Sequence, residues 1–239
     1  MIYNVPVPHD MRLYPLIVSV VFLAASASAK DPASRGRSRF IGMGCATCHR
    51  VGDRGGGQVG PDLTTVGLRY SKEWLDLWMR APQEWNPGAT MPNFKFGEEV
   101  RSELVSYMAA LKGDDYRNRP PWNSAKLKAL PIKRGEAIYN RVGCVSCHGA
   151  HGKGGYRNNN VVGNQIPSVH LVRDGFTREE LRERIAQGRR PEPANPALPA
   201  PLIEMPAWGK YLTEDEMEDL IAYLYSLRPA DSPDEDWGQ

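Results

Sequence analysis

Cys45-Ala46-Thr47-Cys48-His49 decides how this chain is read, and the pattern returns as Cys144-Val145-Ser146-Cys147-His148. C-x-x-C-H is the attachment signature of a c-type haem. Two thiols three positions apart on one helical turn can each bond a vinyl group of the same porphyrin, and the next residue then puts an imidazole under the iron. Neutral imidazole is a good iron ligand. The two motifs use all four cysteines, so none remains for a disulfide. The same residues compete as half a zinc site or a redox dithiol. Histidine directly after the second cysteine is not the usual zinc spacing, and a thioredoxin-like dithiol wants a βαβ setting that is not visible here.

Around the motifs the chain repeats itself. Gly36, Phe40, Gly44, Cys45, Cys48 and His49 match Gly135, Tyr139, Gly143, Cys144, Cys147 and His148 at a constant offset of 99. Further on, Met91-Pro92 matches Met205-Pro206, and Leu104, Tyr107 and Leu111 match Leu220, Tyr223 and Leu227, at offsets of 114 to 116. The second copy therefore carries extra residues, many of them in the proline-rich stretch 190–201, which cannot be helix. A repeat this long means duplicated domains rather than a solenoid. The expected division is a leader or anchor at 1–29, a first domain at 30–113, a linker at 114–131, a second domain at 132–228 and an acidic tail at 229–239.

Each copy reads as helical. Gly36 with Phe40, and Gly135 with Tyr139, are spaced to share a helix face. The glycine lets the first and last helices of a copy approach closely, with aromatic packing across. Residues 98–111 and 213–227 have apolar positions at three- and four-residue spacing. Residues 71–80 and 177–187 read as shorter helices, and Thr177 with Glu180 and Thr213 with Glu216 form capping boxes. No segment shows sustained strand alternation, so the expected fold class is all-α.

Length and composition agree with two small domains: 239 residues, 41% apolar, 24% charged. The net charge of +2 gives no sign of nucleic-acid binding. Residues 30–120 carry +3 and residues 121–239 carry −1, an asymmetry able to orient a redox partner. Arg12 precedes an apolar run, Leu13–Ala25, that ends in Ser26-Ala27-Ser28-Ala29-Lys30. This is the shape of a secretory signal cleaved after Ala29. An uncleaved anchor is the competing reading, against which the run is short and contains Pro15. Either way the expected location is outside the cytoplasm, in the periplasm or at the membrane.

A second axial ligand is needed unless the iron is open. In the first copy the methionines are Met43, Met79, Met91 and Met108. Met43 is too near the motif to reach the opposite face, and Met79 and Met108 sit in amphipathic helices that suit a core role. Met91 lies in the loop Asn86-Pro87-Gly88-Ala89-Thr90-Met91-Pro92. In the second copy the rivals are Met205, Met217, His151 and His170. The shared Met-Pro pair favours Met205, with His170 as the competing ligand.

These residues resemble the class I cytochromes c, and the pair of copies is similar to the two-domain dihaem cytochromes of the c4 type. The likeness covers about 33–112 and 132–228. Gly60-Pro61-Asp62-Leu63 looks like the family's Gly-Pro-x-Leu, and Pro87-Gly88-x-x-Met91 like its methionine loop. The resemblance implies that the Pro61 carbonyl fixes the His49 tautomer and that Leu63 packs on the ring. It gives Pro167, in Ile166-Pro167-Ser168-Val169, the same part in the second copy, after a longer loop. It implies two covalent haems c, with His49, Met91, His148 and Met205 on iron.

Histidine–methionine ligation closes both faces of the iron, which suits single-electron transfer rather than catalysis. The expected function is a dihaem electron carrier, free or as a subunit of a larger complex. Its expected partners are a quinol-oxidising complex, an oxidase or a periplasmic dehydrogenase. A dihaem peroxidase or thiosulfate-oxidising enzyme is the alternative. Trp74, Trp78 and Trp85 are expected to pack the core and haem, Gly55-Gly56-Gly57 to form a loop rather than a phosphate cradle, and Arg189-Arg190 to be solvated.

Overall fold

The computed structural model describes residues 31–55 and 59–228. The expected leader (1–29), most of the glycine run at 55–57 and the acidic tail (229–239) lie outside the described residues.

Both copies fold as small helical bundles. The first is built on α1 (Pro32–Gly42), α2 (Lys72–Arg80) and α3 (Glu98–Ala110), the second on α4 (Pro131–Ile138), α5 (Arg178–Gln187) and α6 (Glu214–Ser226). Among the described residues there are isolated β-bridges and no strands. Helix starts are encoded locally. The Asp31 carboxylate accepts from the Ser34 amide at 3.1 Å ahead of Pro32, and Ser71 caps α2. Thr177 and Thr213 close capping boxes with Glu180 and Glu216. Each cap contributes about 1 kcal/mol.

The terminal helices of each copy meet at a glycine. A Cβ at Gly36 would lie 1.9 Å from Glu103 O, and one at Gly135 1.9 Å from Asp219 O, so no other residue fits this crossing undisturbed. One turn along, Phe40 meets Tyr107 edge-on at 5.4 Å, and Tyr139 meets Tyr223 at 5.3 Å. An ion pair flanks each crossing: Arg35 to Glu103 at 2.5 Å and Arg134 to Asp219 at 2.7 Å. The duplication thus extends to side-chain chemistry.

The two apolar cores interlock. Ile166 and Ile203 of the second copy are buried with Phe40, Leu63, Trp74 and Leu104 of the first. Leu68 packs in return against the cluster of Ile138, Leu181, Trp208 and Leu220. The connecting stretch is structured, with single helical turns at Asp114–Arg117 and Ala125–Lys128. Its Tyr116 and Trp122 are each 2% exposed and pack in the second copy's core. Trp122 Nε1 donates to the buried Glu216 carboxylate at 2.7 Å. The proline-rich stretch is non-helical and is clamped by three consecutive asparagines. Asn158 exchanges side-chain bonds with the Ile203 backbone, while Asn159 and Asn160 hold Ala200, Leu202, Asn195 and Pro199.

Candidate functional site

Each C-x-x-C-H motif follows its copy's first helix. In the first copy, α1 ends at Gly42 and Cys45–Thr47 form a 3₁₀ turn. In the second, α4 continues as a π turn over Tyr139–Gly143 and leads into Val145–His148. The His49 amide bonds Cys45 O at 3.0 Å and the His148 amide bonds Cys144 O at 2.9 Å. One helical turn thus carries both thiols and the imidazole.

The next segment of chain crosses back over each motif. Gly60 N bonds Cys48 O at 3.0 Å and Leu63 N bonds Arg50 O at 2.9 Å, which brings the Pro61 carbonyl to 3.0 Å from His49 Nδ1. In the second copy the Pro167 carbonyl lies 3.1 Å from His148 Nδ1, despite the longer loop before it. Nδ1 can donate only when it carries the proton, so each contact selects the tautomer whose Nε2 lone pair is free for a metal. Burial pushes the pKa of His49 and His148 below the ordinary imidazole value, and the proline carbonyls oppose that shift. Neutral imidazole, the ligating form, is therefore favoured.

The cysteines are equally informative. Burial pushes the Cys45 and Cys147 thiols up, and Cys144 is pushed up to about 12, first by burial and then by its neighbour Cys147. A redox dithiol needs a thiol pKa lowered below its free value; here it is raised. Among the described residues no group of three or more His, Cys, Asp or Glu converges as a zinc site would require.

In the second copy, Cys144, Cys147, His148, Pro167 and Met205 line one cavity of about 660 Å³, walled by Ile166, Val172, Leu181, Ile185, Leu220 and Leu224. Its size is that of a cofactor site. Arg69 of the first copy reaches its wall, and its Nε is buried with no protein partner. Such an unpaired cation donor fits a carboxylate such as a haem propionate. Met205 is held in place by a two-bond bridge to the Arg189 backbone, 2.8 Å each way. His151 and His170 are not among the lining residues. His151 is exposed, and His170 Nδ1 is engaged by the Ser168 hydroxyl.

In the first copy, Cys45, Leu63 and Met91 pack in one apolar cluster. The Met91 loop is latched by Gln83, whose Nε2 donates to Met91 O at 2.7 Å and Ala89 O at 3.2 Å. Trp78 Nε1 donates to Met91 Sδ at 3.2 Å. A Cβ at Gly60 would stand 2.5 Å from the His49 ring, so this backbone is fitted to the imidazole. The copies therefore fit the group that their motifs imply. Met43 is exposed, while Met79, Met108 and Met217 are buried in helices.

Sequence reasoning missed Gln83, Arg69, Tyr70 and the bridge to Arg189. Arg69 donates to the Asp62 carbonyl at 2.8 Å and also to the Ser146 hydroxyl, inside the second motif. Gly143 (φ 98°) leaves room for its guanidinium, which would lie 2.6 Å from a Cβ there. Nothing in the local pattern marks such contacts between copies.

Comparison with known families finds a separate match in each copy. Residues 33–112 match the family described as cytochrome c, and residues 131–224 match the one described as cytochrome c oxidase, cbb3-type, subunit III. No solved structure matches the chain. The chain belongs to the c-type cytochromes, as two class I domains in tandem, electron-transfer modules that each bind one covalent haem c.

Proposed function

We propose that this protein is an exported dihaem electron carrier. It takes single electrons from a quinol-oxidising complex or periplasmic dehydrogenase and passes them to a terminal oxidase or similar acceptor. His49 with Met91 would hold the first iron, and His148 with Met205 the second. The carrying observation is the duplicated lock of imidazole Nδ1 on a proline carbonyl, at 3.0 and 3.1 Å. When bound, each haem supplies one iron that alternates between ferrous and ferric.

The chain's own residues do the rest. Cys45, Cys48, Cys144 and Cys147 hold the group covalently. Pro61 and Pro167 keep the histidine tautomer fixed through the redox cycle. Met91 and Met205 would supply a soft ligand that favours the reduced state. The apolar walls exclude water and disfavour the extra positive charge of the oxidised state. The family description of residues 131–224 names an oxidase subunit, which supports an oxidase as acceptor and an assembly with it. The run Leu13–Ala25 supports export.

An anaerobic redox titration of the holoprotein, followed in the visible spectrum, tests this reading. Two one-electron steps are expected. The weak near-red band of methionine bound to ferric iron should account for both haems, and the ferrous protein should not bind carbon monoxide. A band that accounts for one haem only, or ready carbon monoxide binding, would overturn the reading in favour of an enzyme with an open iron.

A further inference from the structure

Tyr70, Trp74 and Trp78 recur at four-residue spacing, which puts the two tryptophans on one face of α2 with the tyrosine just before it. The stripe joins the two haem sites. Trp78 donates to Met91 Sδ at 3.2 Å and stacks on Trp74, with centroids 5.3 Å apart and planes 18° apart. Trp74 stacks on Tyr70 at 3.8 Å and 12°. The Tyr70 hydroxyl then lies 3.2 Å from Cys147 Sγ of the second copy, with Ser146 O farther away at 3.5 Å. Once Cys147 is a thioether its sulfur can only accept, so the phenol is the donor. Core packing accounts for rings that cluster. It does not require the cluster to end on a sulfur of each haem site.

We propose that the Tyr70–Trp74–Trp78 stack is the electronic bridge between the two haems. This rests on Met91 as an axial ligand of the first iron. In the step, ferrous iron at one site is oxidised to ferric and ferric iron at the other is reduced to ferrous. One electron passes, no bond forms or breaks, and the rings are neither oxidised nor reduced. No proton moves either: burial pushes the Tyr70 hydroxyl far above the ordinary phenol range. Tunnelling falls off exponentially with the length of an open gap. Here every gap is a hydrogen bond or a ring stack, with Trp74 buried at the middle and Tyr70 and Trp78 half-buried on either side.

The test uses half-reduced holoprotein. Exchange between the haems is read by magnetisation transfer among the shifted haem-methyl resonances, beside a redox titration and the near-red band. Trp74→Leu breaks the stack and should slow exchange about tenfold or more, whereas Trp74→Phe should recover most of the rate. Both midpoint potentials and both methionine–iron bands should stay as in the wild type. An exchange rate in Trp74→Leu within about twofold of wild type, with both bands intact, overturns the proposal. If Trp74→Leu disturbs the core enough to lose a band, Tyr70→Phe decides, since it keeps the ring and removes the hydroxyl with its contacts to Cys147 Sγ and, more distantly, Ser146 O. Slower exchange there supports the bridge, and an unchanged rate overturns it. Failure of the underlying ligand reading is separately visible, as a missing methionine–iron band at the first haem of the wild-type protein.

Discussion

Gly36→Ala measures how much of the first domain's stability depends on the contact between α1 and α3. The added Cβ would lie 1.9 Å from Glu103 O, 2.6 Å from Glu103 C and 2.8 Å from Tyr107 Cβ. The nearest two are backbone atoms, so no change of rotamer relieves the clash, and the helices must separate by about 1 Å or more to restore van der Waals contact. Separation loosens the Phe40–Tyr107 pair, worth about 1 kcal/mol, and stretches the Arg35 and Arg39 bonds to Glu103. Overpacking of this kind costs about 1–3 kcal/mol. Helix propensity acts in the opposite direction, favouring alanine by about 1 kcal/mol. The balance is a loss of about 1–3 kcal/mol, which at a urea slope of about 2 kcal/mol/M lowers the midpoint by about 1 M. Gly42, in the same helix, has nothing within 4 Å of its would-be Cβ. Gly42→Ala should therefore be neutral or raise stability by up to about 1 kcal/mol. The assay is urea unfolding of the holoprotein by circular dichroism and by the near-red band. A Gly36→Ala midpoint equal to or above that of Gly42→Ala would refute the close-packing argument.

Other expectations follow from the same contacts. Asp62→Ala strips the acceptor from Tyr116 (2.5 Å), Thr64 (2.5 Å) and Arg141 (3.2 Å), and should cost roughly 3 kcal/mol in urea unfolding; a loss below about 1 kcal/mol would show that the cluster is not a joint between the copies. The Arg35 and Arg39 bonds hold the Glu103 pKa below its ordinary 4.5. Its contribution is therefore complete above pH 4.5 and lost as pH falls through the lower folded value. Glu103→Gln should flatten the acid limb of the stability curve in that window, and an unchanged limb would count against the pairing. Trp78→Phe removes the N–H that draws charge from Met91 Sδ, so the sulfur donates better to ferric iron. The first haem's midpoint potential should fall in a redox titration while the second stays put, and a rise would contradict Met91 as ligand.

Much of the helical framework could be read from the sequence because its signals are local. The capping boxes at Thr177 and Thr213, and the glycine–aromatic crossings at Gly36 and Gly135, each lie within a few residues or repeat at a fixed offset. The flanking ion pairs obey the same offsets, since Arg35 and Arg134 differ by 99 and Glu103 and Asp219 by 116. Extending the repeat comparison to charges would have found them. The connecting stretch showed its prolines and charges but not the burial of Tyr116 and Trp122, which depends on where a second domain comes to rest. For the same reason the Arg69 contact with the second motif could not be foreseen, and within the second copy the asparagine clamp on the proline-rich stretch joins residues far apart in the chain. Each joins segments whose meeting is decided by packing, not by spacing.

Packing also makes the two copies unequal. In the first, the stretch after the motif serves both sites. Gly60 and Pro61 fit His49, while Thr65 donates to Val142 O at 2.5 Å, Arg69 reaches Ser146 and Tyr70 reaches Cys147. In the second, Pro167 fits His148, but the chain then runs outward to the exposed Leu171 and Phe176, and Tyr225 of its own copy caps the Phe176 carbonyl. The exchange is thus unequal: the first copy's bracing stretch reaches the second motif itself, whereas Ile166, beside Pro167, gives apolar packing to the first copy's core. The segment that orients the first imidazole also backs the second porphyrin site, so one copy cannot shift without disturbing both. Two separate carriers must find each other by diffusion for every electron. A chain that wedges one domain's histidine-bracing segment against the other domain's cysteine fixes the span between irons once, at folding. The transfer rate then depends on the rings packed between them.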